Sequence, residues 1–129
     1  MTSATVSQKA LWHSLIVLGV VVLFALIGLA FAGNWPKVLR VGLSAASYAA
    51  VLVAGSRLLS REQPGAAIPY WLFAIGGAIA GLVSGLVRPT VQPSVVLVSV
   101  LAGAFLLSSV HWAGARRYNG VLKTLSGRA

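Results

Sequence analysis

Ile75-Gly76-Gly77-Ala78-Ile79-Ala80-Gly81-Leu82-Val83-Ser84-Gly85 is the stretch on which the reading of this chain turns. Gly77, Gly81 and Gly85 recur every four residues, and Gly76, Ala80 and Ser84 run beside them at the same spacing. On a helix the two rows make one face almost without side chains. In water each such glycine would cost about 1 kcal/mol relative to alanine. In lipid the helix holds, because a freed backbone group finds no water to bond. There a bare face lets a second backbone approach closely. The segment therefore reads as the most tightly packed helix of a small membrane protein.

Composition agrees. Of the 129 residues 58% are hydrophobic and 9% charged, against about 25% charged in ordinary soluble domains. Glu62 is the one acid in the sequence, and cysteine is absent, which excludes disulfides, thiolate metal sites and Cys nucleophiles. The net charge of +9 does not point to nucleic acid. The basic residues sit in the gaps between apolar runs and form no continuous basic surface for phosphates to track.

Four apolar runs follow, at approximately 11–32, 38–59, 68–87 and 91–113, with 114–129 a basic tail. Residues 1–10 are polar and read as frayed. The first run could be a signal peptide, with Lys9 as its basic region and Ala30-Phe31-Ala32 as a cleavage site. It is longer than the usual apolar region of about 7–15 residues, which favours a spanning helix. Gly33-Asn34-Trp35-Pro36 breaks the chain, glycine and asparagine suiting a helix C-cap and proline refusing to continue the helix. On the second run Gly42, Ala46, Ala50 and Ala54 make another four-residue row. This row is expected to meet the glycine face of the third. Tyr70 and Trp71 fit an interfacial belt at the start of the third run. The Val-rich start of the fourth is too long for a membrane strand. Tyr118, Val121, Leu122 and Leu125 in the tail recur at helical spacing, as in a short interfacial helix.

The expected fold is an all-α integral membrane protein with four transmembrane helices in two hairpins, forming a single domain. Lys9, Arg57, Arg61, Arg116, Arg117, Lys123 and Arg128 fall on the side of the termini, against Lys37, Arg40 and Arg88 on the other. The positive-inside rule places both termini in the cytoplasm of a multi-pass protein, with a bacterial cytoplasmic membrane the expected location.

No acid lies in a span, and no paired carboxylate, HExxH, phosphate-cradling loop or Ser-His-acid set occurs, so neither an enzyme nor a cation-coupled pump is expected. Serines in the runs are expected to return their hydroxyls to their own helices. His13 beside Trp12 and His111 beside Trp112 fall at similar depth near one interface. They read first as interfacial histidines, and second as axial ligands for a haem or a chlorophyll. Arg57, Arg61, Arg116 and Arg117 form a cytoplasmic set suited to anionic lipid headgroups. Gly76, Gly77, Ala80, Gly81, Ser84 and Gly85, with Gly42, Ala46 and Ala50, are the helix-packing residues.

In length, helix count and glycine content the chain resembles fluoride channels and the small subunit I of ATP synthases. The polar and phenylalanine pore signature of the channels is missing. So is the acid that small multidrug transporters need in their first helix. The residues point first to a non-catalytic accessory or assembly subunit of a larger membrane complex, which partners the bilayer, anionic lipids and other subunits or copies of itself. Three alternatives stand beside it. One is a small homo-oligomeric channel or transporter for a neutral or anionic solute, its path lined by Ser44, Ser47 and Tyr48. The others are a haem- or chlorophyll-binding subunit and a phage holin.

Overall fold

A computed structural model describes residues 5–62 and 67–128. Its elements are β1 (Thr5–Val6), α1 (Gln8–Phe31), α2 (Trp35–Glu62), β2 (Ile68–Pro69), α3 (Tyr70–Leu86), α4 (Pro93–Ala102) and α5 (Ser108–Arg128). A five-residue π-helical segment, Gly103–Leu107, joins α4 to α5. The described residues are thus all-helical apart from one pair of two-residue strands. Three helical stretches, Gln8–Phe31, Trp35–Arg61 and Pro93–Tyr118, are long and apolar enough to cross a membrane. The helix that carries the glycine rows has 17 residues, or about 25 Å at 1.5 Å per residue.

Several boundaries differ from the sequence reading, each for a local reason. The N-terminal segment is not frayed over its described part. Val6 pairs antiparallel with Ile68, and Val6, Ala10 and Leu11 are buried. Ser7 caps α1 by accepting from the backbone N–H of Ala10 at 3.2 Å, so the helix starts at Gln8, ahead of the apolar run. The same strand pair keeps Ile68 and Pro69 out of α3. Between α1 and α2 the backbone turns at Gly33, whose φ of 74° lies in the left-handed region. The N–H of Asn34 bonds to the Leu29 carbonyl at 2.9 Å and that of Gly33 to the Ala30 carbonyl at 3.0 Å, the paired closure of a Schellman motif. Pro36 does not hold the next helix back. It sits in the first turn of α2, where a missing N–H costs nothing. The polar stretch after residue 59 begins as the last turn of α2, and residues 63–66 lie outside the described part. The basic tail is no separate helix but continues the fourth apolar run as α5.

α3 lies at the centre of the bundle. It packs on α2 along one side and on α4 and the π segment along the other, while α1 lies against α2 and α5. The two small-residue rows of α3 are divided between two neighbours, which corrects the expectation that α2 meets them all. A Cβ on Gly77 would run into the carbonyl of Gly103, one on Gly81 into the carbonyl of Ser99, and one on Gly85 would come within 2.9 Å of Val96 Cα. The glycine row is therefore a seam against the backbone of α4 and the start of the π segment. In the adjacent row, a Cβ on Gly76 would meet the Tyr48 ring of α2 at 3.2 Å. The buried core consists of Val6, Ala10, Leu11, Tyr48, Leu52, Ile68, Leu72, Phe73, Ala80 and Ala115. It is concentrated at the end of the bundle that holds the strand pair.

Candidate functional site

Two features of the interior carry polar chemistry: a hydrogen-bonded chain through His111, and a cleft among the helices. In the first, the Tyr48 hydroxyl of α2 bonds to Nδ1 of His111 on α5. His111 Nε2 lies 3.0 Å from the Ser14 hydroxyl of α1, and Ser14 donates to the Leu11 carbonyl at 2.9 Å. Since Ser14 spends its one proton on Leu11, it must accept from His111, so the imidazole carries its proton on Nε2 and takes the Tyr48 proton at Nδ1. Every member is then satisfied, as buried polar groups require. The Phe73 ring meets the imidazole edge-on, with centroids 5.2 Å apart. One polar chain thus ties α1, α2 and α5 together, with α3 packed against it.

At the neighbouring level the Tyr70 hydroxyl bonds to those of Ser108 at 3.1 Å and Ser109 at 2.9 Å. The Tyr70 ring stands edge-on to Trp112. Arg116 lies over the Trp112 ring with its guanidinium carbon 4.9 Å from the centroid, a cation–π geometry. Gln8 reaches Ser60 across the same end.

The second feature is a cleft of about 620 Å³ between all four helical stretches. α2 presents Lys37, Arg40, Val41, Ser44 and Tyr48 to it, positions that share one helix face. Leu18 and Val22 come from α1, Ala80, Gly81 and Ser84 from α3, and Ser99 and Leu106 from α4 and the π segment. Arg40 Nε and Ser44 Oγ are buried here without a hydrogen-bond partner. A smaller cleft, lined by Ser14, Leu18, His111 and Tyr118 among others, lies on the other side of the His111 chain.

The residues singled out in the sequence distribute as follows. Gly76, Gly77, Ala80, Gly81 and Gly85 are buried on α3, and Ser84 is half-buried on the large cleft. Gly42, Ala46 and Ala50 do not join them. Ala46 and Ala50 are exposed, and nothing lies within 4 Å of a Cβ built on Gly42. α2 turns its bulkier face, Tyr48 and Leu52, toward α3 instead. Arg57, Arg61, Arg116 and Arg117 are all exposed. The histidines part company. His13 bonds through Nδ1 to the Lys9 carbonyl at 2.8 Å and stacks on Tyr118 at 5.2 Å, whereas His111 is buried with both ring nitrogens engaged. A haem or chlorophyll would have to displace the Tyr48 hydroxyl to reach the lone pair of His111. Among the described residues no group of three or more His, Cys, Asp or Glu side chains is placed to hold a metal.

Ser44 and Tyr48 line the cleft as expected for a polar path, but Ser47 does not. Its hydroxyl returns to the Leu43 carbonyl at 2.8 Å, the fate shared by Ser56 and Ser108. Sequence reasoning passed over the Tyr48–His111–Ser14 chain. Its partners are 63 and 97 residues apart in sequence, and no local spacing encodes such a meeting. The Lys37-Arg40-Ser44 spacing was the available signal for the cleft.

The molecule so defined is a helical bundle with three helices long and apolar enough to cross a membrane, a glycine seam at its centre and a cationic cleft near one end. Comparison with known protein families, with curated proteins and with solved structures finds no match.

Proposed function

We propose that the chain is a four-span membrane protein with both termini in the cytoplasm, and that it serves as a non-catalytic accessory or assembly subunit of a larger membrane complex. The observation that carries this reading is the row Gly42-Ala46-Ala50 on α2, a face suited to close helix approach on which Ala46 and Ala50 are exposed and a Cβ at the half-buried Gly42 would meet nothing. α3 counts as the fourth span on its apolar length, with Tyr70 and Trp71 at one end and Arg88 at the other. The exposed Arg57, Arg61, Arg116 and Arg117 fit contact with anionic headgroups on the cytoplasmic side. Extraction from the native membrane in mild detergent, followed by native mass spectrometry, tests the reading. Recovery bound to larger, different subunits supports it, and recovery as a monomer or homo-oligomer defeats it.

One observation favours a second reading, passage of a small neutral or anionic solute. Ser44 and Tyr48 line a cleft whose end carries Lys37 and Arg40 and that no acid neutralises. Selective flux through liposomes holding the purified chain alone would establish it.

A further inference from the structure

Arg40 is the feature that the fold leaves unexplained. It sits five residues into α2 beyond Trp35, about 7 Å along the helix, and its Nε is buried without a partner. Arg40 as a whole is half-buried, but a cationic donor atom taken out of water is retained where something pairs with it. Among the described residues none accepts from Arg40 Nε. The one acid of the sequence is Glu62, at the opposite end of α2 and about 33 Å away along the helix. Ser44, one turn further along the same face, also has a buried hydroxyl without a partner. Lys37, one turn before, brings a second cation to the same cleft. Three donor groups therefore converge on one cavity, with no protein acceptor for two of their buried atoms.

The rest of the cavity has the opposite character. Beyond Ser44 its walls include Leu18, Val22, Ala45, Leu106 and Leu107. Leu106 is 67% exposed, so the cleft opens sideways between helices. Its volume of about 620 Å³ lies within the roughly 300–1,000 Å³ usual for small-ligand sites. A cationic, hydrogen-bond-donating end and an apolar, laterally open body match an amphiphile with a negatively charged head.

We propose that this cleft is a binding site for one anionic phospholipid, whose phosphate is held by Arg40, Lys37 and Ser44 and whose acyl chain lies along Leu18, Val22 and Leu106. The phosphate supplies the missing acceptors, and its charge offsets that of a guanidinium drawn in from the interface. The site differs from the arginines of the cytoplasmic end, which are exposed and lie at the far end of α2 and on α5. The inference rests on the membrane reading and is independent of the accessory role.

The test uses the purified full chain in mild detergent, mixed with phosphatidylglycerol and phosphatidylcholine of distinct mass, and reads retained lipid by native mass spectrometry. The expected result is one phosphatidylglycerol per chain, retained in preference to phosphatidylcholine. Arg40→Gln should weaken it about tenfold and Lys37→Gln less, while the double variant Arg116→Gln/Arg117→Gln leaves it unchanged. Circular dichroism identifies any variant that fails to fold, and Ser44→Ala then serves as the milder probe of the same cleft. Equal retention of both lipids overturns the proposal, as does unaltered retention in the folded Arg40→Gln chain. So does displacement of the lipid by millimolar inorganic phosphate, which would make the ligand a soluble anion. A chain that stays monodisperse without detergent would defeat the membrane reading itself, an outcome distinct from these.

Discussion

α2 and α3 each carry small residues at four-residue spacing, yet one row is packed against a second backbone and the other lies largely on the outside. Gly77, Gly81 and Gly85 lie against the backbone of α4 and the π segment. Ala46 and Ala50 are exposed, and the half-buried Gly42 has open space at its Cβ position. The spacing alone does not choose between these fates. The residues on the opposite faces do. α2 carries Tyr48, Leu52 and Ser56 on its other side, and Tyr48 has a partner in His111 that holds that side inward. α3 has no such alternative, because its central position gives it neighbours on two sides, and each of its small rows takes one of them. A small-residue row permits close approach, and the polar and bulky residues around it decide where the approach occurs.

Alanine substitutions break the comparison most directly. In a free helix Gly→Ala stabilises by about 1 kcal/mol. At Gly81 the new methyl would overlap the Ser99 carbonyl, and since backbone cannot swing aside, Gly81→Ala is expected to destabilise by about 2–3 kcal/mol, read from denaturant unfolding in mixed micelles. Gly42→Ala meets nothing and should be neutral or gain up to about 1 kcal/mol in the same assay. A loss at Gly42 equal to that at Gly81 would mean that the α2 row is internal after all.

Tyr48→Phe tests what turns the bulky face of α2 inward. It leaves Nδ1 of His111 without its donor, and a loss of about 1 kcal/mol is expected, the scale of interhelical hydrogen bonds in lipid. The double variant Tyr48→Phe/His111→Phe should recover part of it, because no unpaired polar group then remains. Gly76→Ala sharpens the contrast at smaller scale. Its methyl would meet the Tyr48 ring at 3.2 Å, a side chain that shifts, so a loss below about 1 kcal/mol separates contact with a ring from contact with a backbone.

The sequence made the helices and the close-packed role of α3 legible, because both rest on local pattern: apolar length, glycine spacing, and the Gly33-Asn34 turn. It left three things dark, each for a physical reason. Pro36 reads as a breaker, yet in a first helical turn it is tolerated, so the start of α2 was set too late. Val6 meets Ile68 through a pairing that spans more than sixty residues, and two-residue strands have no periodicity to detect. The four-residue row on α2 was matched to that of α3 because likeness of pattern was the one guide available, while the contacts of Tyr48 that settle the question lie far away in sequence. For the sites, the Lys37-Arg40-Ser44 face was visible as spacing, but its lack of a partner is a property of the folded cleft. His111 stands out in the sequence beside Trp112, but its hydrogen-bond partners do not. Its neighbours Tyr48 and Ser14, which occupy both ring nitrogens, come from other helices.

What covers the outer row of α2 decides whether this chain serves a partner subunit. A benzophenone amino acid placed at Ala46 and irradiated in the native membrane reports its neighbour directly. Adducts with a polypeptide other than this chain are the predicted result, with the same probe at exposed Ile16 on α1 giving mainly lipid adducts. Lipid adducts alone at Ala46, or a covalent dimer of this chain, would contradict the assignment of that face to a partner subunit.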